Sequence, residues 1–356
     1  MANAQAPQTV FRRERRLSRW SIASAAAAML CALLNAADAE PITLRLHTFN
    51  SPRAIAVRSF LVPWAEELEQ RTEGRVRVQV FPAMQLGGKS SDLYGQARDG
   101  VVDMVWTSLG YSPGRFPLTE AFELPFVCTD AEATSQALME FYGKWMQDEY
   151  RDTHPLVFHT AAPGHIHTTG RPLSTLEDLA GLKIRVPSQA LAATLEALGA
   201  VPVGMPISDV YEALSRGVVG GVWVPWSIMR PFRLHEVTSS HIEASMACVT
   251  FVLTMNKARY LGLPEEIRAA VDGSTGMALA KRLGRLWQDD EATGRNPAVQ
   301  RGNAIFPLSE SERERWITAT RPVIDEWLEK VDAMGHDGEA MLADARRLVA
   351  KYGDEP

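Results

Sequence analysis

Arg185 is the side chain of this sequence best suited to hold an anion. It lies in Gly181-Leu182-Lys183-Ile184-Arg185-Val186-Pro187, where Leu182, Ile184 and Val186 share one face of an expected strand and Lys183 and Arg185 the other. Pro187 ends that strand at the edge where doubly wound sheets bind their ligands. A guanidinium there is permanently charged, and its rigid fork can take a carboxylate through two parallel hydrogen bonds. Pairing with a surface Asp or Glu is its other ordinary use. His165-Ile166-His167 is the second candidate, because histidines at i and i+2 of a strand point the same way. Neutral imidazoles suit zinc or copper. A metal site would need a third ligand from His47, His159 or His241, and the spacing places none of them. The pair could equally face solvent or donate to a bound ligand. The chain carries no GxGxxG or GxxxxGK[ST] loop, no HExxH and no GxSxG elbow. No catalytic residue, metal or cofactor is therefore assigned, and an exported metal-dependent hydrolase built on His165 and His167 stands as a rival.

The elements around these residues read as an α/β protein. Ile42, Leu44 and Leu46 alternate with polar residues as a half-buried strand. Phe60, Leu61, Trp64 and Leu68 follow at helical spacing, and Val76, Val78 and Val80 form a second strand. A helix over Ser90–Asp99 and an apolar strand over Val101–Trp106 complete a βαβαβ order, which argues for a parallel sheet. Its carboxyl ends are Thr48–Asn50, Phe81–Gly87 and Trp106–Ser108. A second unit repeats the style from Leu156 to Val224, with Ser174-x-x-Glu177 as a capping box. The last part is helical, and Ser309-x-x-Glu312 opens a long helix through Trp316 and Trp327. No Pro/Gly/Ser-rich linker separates the units, so the chain is expected to cross between them more than once, as in a hinged clamshell.

The first 39 residues carry the pattern of a secretory signal. Arg12, Arg13, Arg15, Arg16 and Arg19 precede a low-charge run from Ile22 to Leu34, and Ala37-Asp38-Ala39 forms the cleavage site. The run is shorter than the roughly 20 residues a spanning helix needs; an uncleaved anchor is the alternative. Leu30 before Cys31 argues against lipoprotein processing. Cleavage would take the formal charge from −6 to −9. So acidic a chain lacks the basic clusters that hold nucleic acid. No second segment reads as membrane-embedded. Cys128 and Cys248 remain; an oxidising compartment permits a bridge, but the expectation is two unpaired buried thiols.

Further motifs follow one another in a fixed order. Thr72-x-Gly74-x-Val76 precedes Phe81-Pro82 and Gln85-Leu86-Gly87, and Asp103-Met104 precedes Leu124-Pro125-Phe126. Leu176-Glu177-Asp178-Leu179 with Gly181–Pro187 is followed by Gly199-Ala200-x-Pro202-Val203 and Tyr211-Glu212-Ala213-Leu214-x-x-Gly217-Val218-Val219. Asn256-Lys257 and Leu263-Pro264 close a series spanning about residues 42–330. In this order the motifs resemble the substrate-binding proteins of tripartite ATP-independent periplasmic (TRAP) transporters. The resemblance implies a two-lobed periplasmic-binding-protein clamshell with hinge strands and a long C-terminal helix. The implied division is a signal at 1–39, one lobe from 40–163 plus 250–290, and a second from 164–249 plus 291–356. It further implies a periplasmic receptor without catalysis, which captures a small organic acid between its lobes and delivers it to TRAP membrane permease subunits. Receptors of other transport or sensing systems share that design. Arg185 matches the family's carboxylate-binding arginine.

Two departures bear on the ligand. Where the family carries a polar stretch ending in Asn-Pro, this chain has Gly221-Val222-Trp223-Val224-Pro225-Trp226. Trp223 and Trp226, facing Trp106 on the other lobe, would wall the pocket, or else pack the lobe's interior. His165 stands where the family often has an Arg. A missing second cation beside indole walls implies a less polar monocarboxylate, aromatic or branched, over a sugar acid or dicarboxylate. Asn50, Arg53, Thr107 and Gln189 are further contact candidates.

Overall fold

The computed structural model describes Met1, residues 40–170 and residues 172–353. The signal segment and Cys31 lie outside these. Eleven strands form two sheets among the described residues. The first contains β1 (Ile42–Thr48), β2 (Val76–Phe81), β3 (Met104–Ser108), β4 (Thr153–Thr160) and β10 (Thr250–Asn256), in the order β2-β1-β3-β10-β4. β1 and β3 are parallel, while β10 runs antiparallel between β3 and β4. The second contains β5 (His165–Thr168), β6 (Lys183–Val186), β7 (Val201–Gly204), β8 (Gly221–Val224), β9 (Ser240–Glu243) and β11 (Ala304–Pro307), in the order β11-β9-β5-β8-β6-β7. From Thr43 onward the chain is one compact unit. It crosses between the sheets after β4, after β9 and again before β11. No described helix is long and apolar enough to cross a membrane.

Five helices matter most for the frame: α1 (Ala131–Phe141), α2 (Gln189–Ala197), α3 (Gly276–Gln300), α4 (Glu310–Ala333) and α5 (Gly338–Gly353). Side-chain caps start three of them. Asp130 accepts from Ala133 N at 2.8 Å, Ser188 from Leu191 N at 3.3 Å and Ser309 from Glu312 N at 3.2 Å. The expected boxes are not closed as written. Glu312 turns away from its cap to accept from Leu176 N at 2.8 Å, and the box before the short helix Leu176–Leu179 is formed by Thr175 and Asp178. Glu177 is thereby free to pair with Arg315.

These contacts tie the start of α4 to the second sheet's region, whereas its later part joins the first. Trp327 Nε1 donates to Pro117 O at 2.8 Å, and Lys330 pairs with Glu120 at 2.7 Å. Val323, Trp327 and Val331 share one buried cluster with Phe122, Phe141 and Phe158, and α5 adds Met341, Leu342 and Leu348. The sequence reading assigned all of residues 291–356 to the second lobe; α5 instead packs on α1 of the first. An apolar helix stripe states that it needs a partner, not which of two cores supplies it.

Cys128 and Cys248 also depart from expectation. They form a disulfide, with Cα atoms 5.9 Å apart and 120 residues between them. The connection from β9 to β10 brings Cys248 beside the segment preceding α1, a proximity no local pattern encodes. Closing so long a loop restricts the unfolded chain strongly. Replacing Cys248 with Ser is expected to lower the unfolding free energy by about 2–5 kcal/mol, measured by urea unfolding. Equal stability, or a free Cys128 thiol in the non-reduced wild type, would speak against the bridge.

Candidate functional site

The carboxyl ends of β1, β3, β6 and β8 meet at a cavity of ≈ 50 Å³, several times the roughly 10–15 Å³ that one water occupies on the same measure. β3 presents Trp106 and Ser108 to it, and the pleat sends Thr107 the other way, its hydroxyl donating to Ser108 O at 3.4 Å. Phe49 and Asn50 follow β1, Arg185 and Pro187 come from β6, and Trp223 and Val224 from β8. Tyr111, Phe232, Phe251 of β10 and Trp287 of α3 complete the aromatic lining.

The aromatic wall is held in place from behind. Trp106 stacks on Phe251 with ring centroids 4.6 Å apart and on Phe49 at 5.6 Å, and Phe49 meets Tyr111 edge-on at 5.1 Å. Trp106 Nε1 donates to His159 Nε2 at 3.0 Å, which requires that nitrogen to be unprotonated. Burial pushes the His159 pKa down to about 3, so the acceptor persists well into acid. Trp223 owes its position to Gly164: a Cβ there would lie 2.3 Å from Trp223 Cζ2. A larger residue would displace the indole.

Arg185 is only 2% exposed. Its Nε donates to Met205 O at 2.9 Å, and one terminal nitrogen lies 3.5 Å from the Tyr111 hydroxyl. Tyr111 also accepts from Ile207 N at 3.1 Å. Among the described residues no carboxylate forms an ion pair with this guanidinium. Burial lowers its pKa, partly offset by Tyr111 and Asp209, yet an arginine stays charged under such a shift. A buried cation without an ion-pair partner is costly, and an anion entering the cavity relieves that cost.

The structure thus gathers Arg185, Trp106, Trp223 and Asn50 at one cavity. Other expected site residues lie elsewhere. Ile166, not His165 or His167, stands opposite Trp223 in the register of β5 on β8. His167 shares a hydrogen bond with His241 (2.8 Å between Nδ1 atoms) and another with Val224 O at 3.1 Å. His165 accepts weakly from Ser245 N at 3.4 Å. Trp226 packs over this histidine cluster, 4.6 Å from His167 between centroids, and donates to Glu243 at 3.0 Å. Among the described residues no group of three or more His, Cys, Asp and Glu is placed to hold a metal. Gln189 borders a wider cleft of ≈ 740 Å³ that adjoins the cavity through Tyr111 and Pro187, and Arg53 is exposed. Sequence reasoning missed Tyr111, Phe251 and Trp287, which come from distant elements. It also chose Thr107 where strand alternation from Trp106 selects Ser108.

A scan of family models matches residues 48–330 to the bacterial extracellular solute-binding proteins, family 7. The chain belongs to that family. A TRAP solute-binding protein from Rhodoferax ferrireducens, solved with copurified benzoate, is 38% identical, with a TM-score of 0.86 over 88% of this chain and 98% of its own. A TRAP solute-binding protein from an unidentified marine microbe, specific for aromatic acid ligands and solved with 3-hydroxybenzoate, is 40% identical, with a TM-score of 0.86 over 89% and 100%. The C4-dicarboxylate-binding periplasmic protein DctP of Rhodobacter capsulatus is 29% identical over 86% of this chain and 93% of its own. These likenesses make the α/β architecture that of a two-lobed TRAP clamshell.

The histidine cluster gives the protein a pH-dependent stability. Burial, reinforced by the neighbouring His241 and His165, holds His167 well below its ordinary 6.5, and burial brings His165 and His241 to about 4. The unfolded chain protonates these rings near 6.5 and the folded chain does not. They therefore cost no stability above pH 6.5 and progressively more as pH falls from there towards 4. Glu291, raised to about 7 by burial, opposes them, because the folded form holds its proton from about 7 downward and the unfolded form only from 4.5. His167→Gln is expected to flatten the acid-side decline in unfolding free energy by up to about 1.4 kcal/mol per pH unit. Urea unfolding at several pH values between 6.5 and 4.5 measures it; an unchanged slope would mean the ring takes up its proton in both states.

Proposed function

We propose that this TRAP receptor captures an aromatic monocarboxylate, its acid group on Arg185 and its ring between the indole and phenyl walls. One observation carries the reading: a buried guanidinium with no ion-pair partner among the described residues opens into a cavity bounded by seven aromatic side chains. Among the described residues Arg185 is the sole charged one lining it, so one negative charge is matched and a second is not. The relatives crystallised with benzoate and 3-hydroxybenzoate support this choice. A C4-dicarboxylate, as bound by the Rhodobacter capsulatus relative, would bring a second carboxylate to an apolar wall, which is costly.

In this reading Arg185, Trp223, Trp106 and Asn50 contact the ligand, joined by Tyr111, Phe251 and Trp287. His165, His167 and Trp226 support the second sheet, and Thr107, Gln189 and Arg53 take no part. The lobes, 40–163 with 250–290 and 164–249 with the residues up to about 333, close on the ligand; the C-terminal helix goes with the first lobe. The loaded receptor works in the periplasm, delivers its acid to TRAP membrane permease subunits and catalyses no reaction.

Arg185→Ala is expected to weaken benzoate binding by about 2–5 kcal/mol, because it removes one partner of a desolvated charge pair. Arg185→Lys should recover little of it, since the two-pronged geometry is lost. Isothermal titration with benzoate, and with succinate for comparison, checks both. Undiminished benzoate affinity in Arg185→Ala, or succinate binding more tightly to the wild type, would refute the assignment.

A further inference from the structure

The chain ends of the two sheets come closest at a glycine. Gly110 and Tyr111 lie in a short turn, Leu109–Tyr111, that directly follows β3 of the first sheet. Leu109 belongs to the buried cluster of Phe122 and Phe141, and the Tyr111 ring meets Phe49 edge-on at 5.1 Å. The turn is therefore anchored on the first core. Its other side faces the segment that follows β6 of the second sheet. A Cβ on Gly110 would lie 2.4 Å from Ser188 Cβ, 3.1 Å from Pro187 O and 3.2 Å from Ser188 Cα. The φ of Gly110 is outside the left-handed region, so the backbone conformation makes no demand for glycine. The approach of Pro187 and Ser188 makes that demand instead, because there is no room for one more carbon.

Two further contacts cross at the same place. The Tyr111 hydroxyl accepts from Ile207 N at 3.1 Å and lies 3.5 Å from a terminal nitrogen of Arg185. Tyr111 and Pro187 line both the aromatic cavity and the wider cleft beside it. Gly110 and Ser188 line the cleft and not the cavity. The turn is thus the partition between the chamber and its approach.

Resting on the reading of an aromatic acid held between closing lobes, we propose that the Gly110–Tyr111 turn is the clasp that shuts the cavity, with the wider cleft as the ligand's way in and out. Gly110 then sets the ligand's residence time without touching it. A side chain at this position penalises the closed form alone, since a Ser188 that has moved away no longer meets it. A smaller closed population lowers the apparent affinity, and the change falls mainly on release.

The test is stopped-flow binding and release of benzoate, followed through the fluorescence of the cavity's tryptophans. In Gly110→Ala, release is expected to be about ten-fold faster or more, with association within about three-fold of the wild type. Ser188→Gly removes the nearest clashing atom, and glycine is a tolerated N-cap for α2. The double variant Gly110→Ala/Ser188→Gly should therefore release benzoate at least about three-fold more slowly than Gly110→Ala. Thermal melting of the unliganded proteins establishes that they fold. If Gly110→Ala does not, Tyr111→Phe, which loses the hydroxyl contacts to Ile207 and Arg185, decides by the same criterion for release. Release at the wild-type rate in the deciding variant, or a Gly110→Ala defect that Ser188→Gly leaves unrelieved, overturns the clasp and leaves the aromatic-acid reading intact. A wild type that binds no benzoate sinks that reading and the clasp with it.

Discussion

A guanidinium buried at the tip of a strand, with no carboxylate paired to it among the described residues, sets the terms for the rest of this molecule. Met205 O and the Tyr111 hydroxyl hold Arg185 by neutral contacts that orient the side chain without cancelling its charge. In a low-dielectric setting that charge acts strongly on any anion that arrives. The folded protein tolerates the desolvation because the surrounding architecture is stabilised elsewhere, by two sheets, a long bridging helix and a disulfide.

Shape is supplied by a different set of interactions. The aromatic wall is positioned by stacking and by one hydrogen bond from Trp106 to a histidine that burial keeps neutral. Gly164 makes room for Trp223. The residues that define the wall therefore depend on neighbours that never touch the cavity, and a substitution at Gly164 or His159 would alter recognition indirectly. The histidines of β5 belong to this supporting class as well. They sit with Trp226 and the half-buried pair Glu243 and Arg295 in a polar cluster that braces the second sheet.

The sequence by itself determined the α/β class, most strand positions, the family resemblance and the position of Arg185 at a strand end. Each depends on short-range order: alternation along a strand, helical spacing, a proline stop, or motifs in a fixed succession. Trp106 and Trp223 were legible as residues at strand ends for the same reason, and both line the cavity. The tertiary structure decided what long-range proximity controls. It paired Cys128 with Cys248, sent the last helix to the first core, turned Trp226 and the two histidines away from the cavity and brought in Tyr111, Phe251 and Trp287. None of these has a local signature. A thiol, an apolar stripe or an indole states only that it needs company. Which company it finds is fixed when elements distant in the sequence pack together.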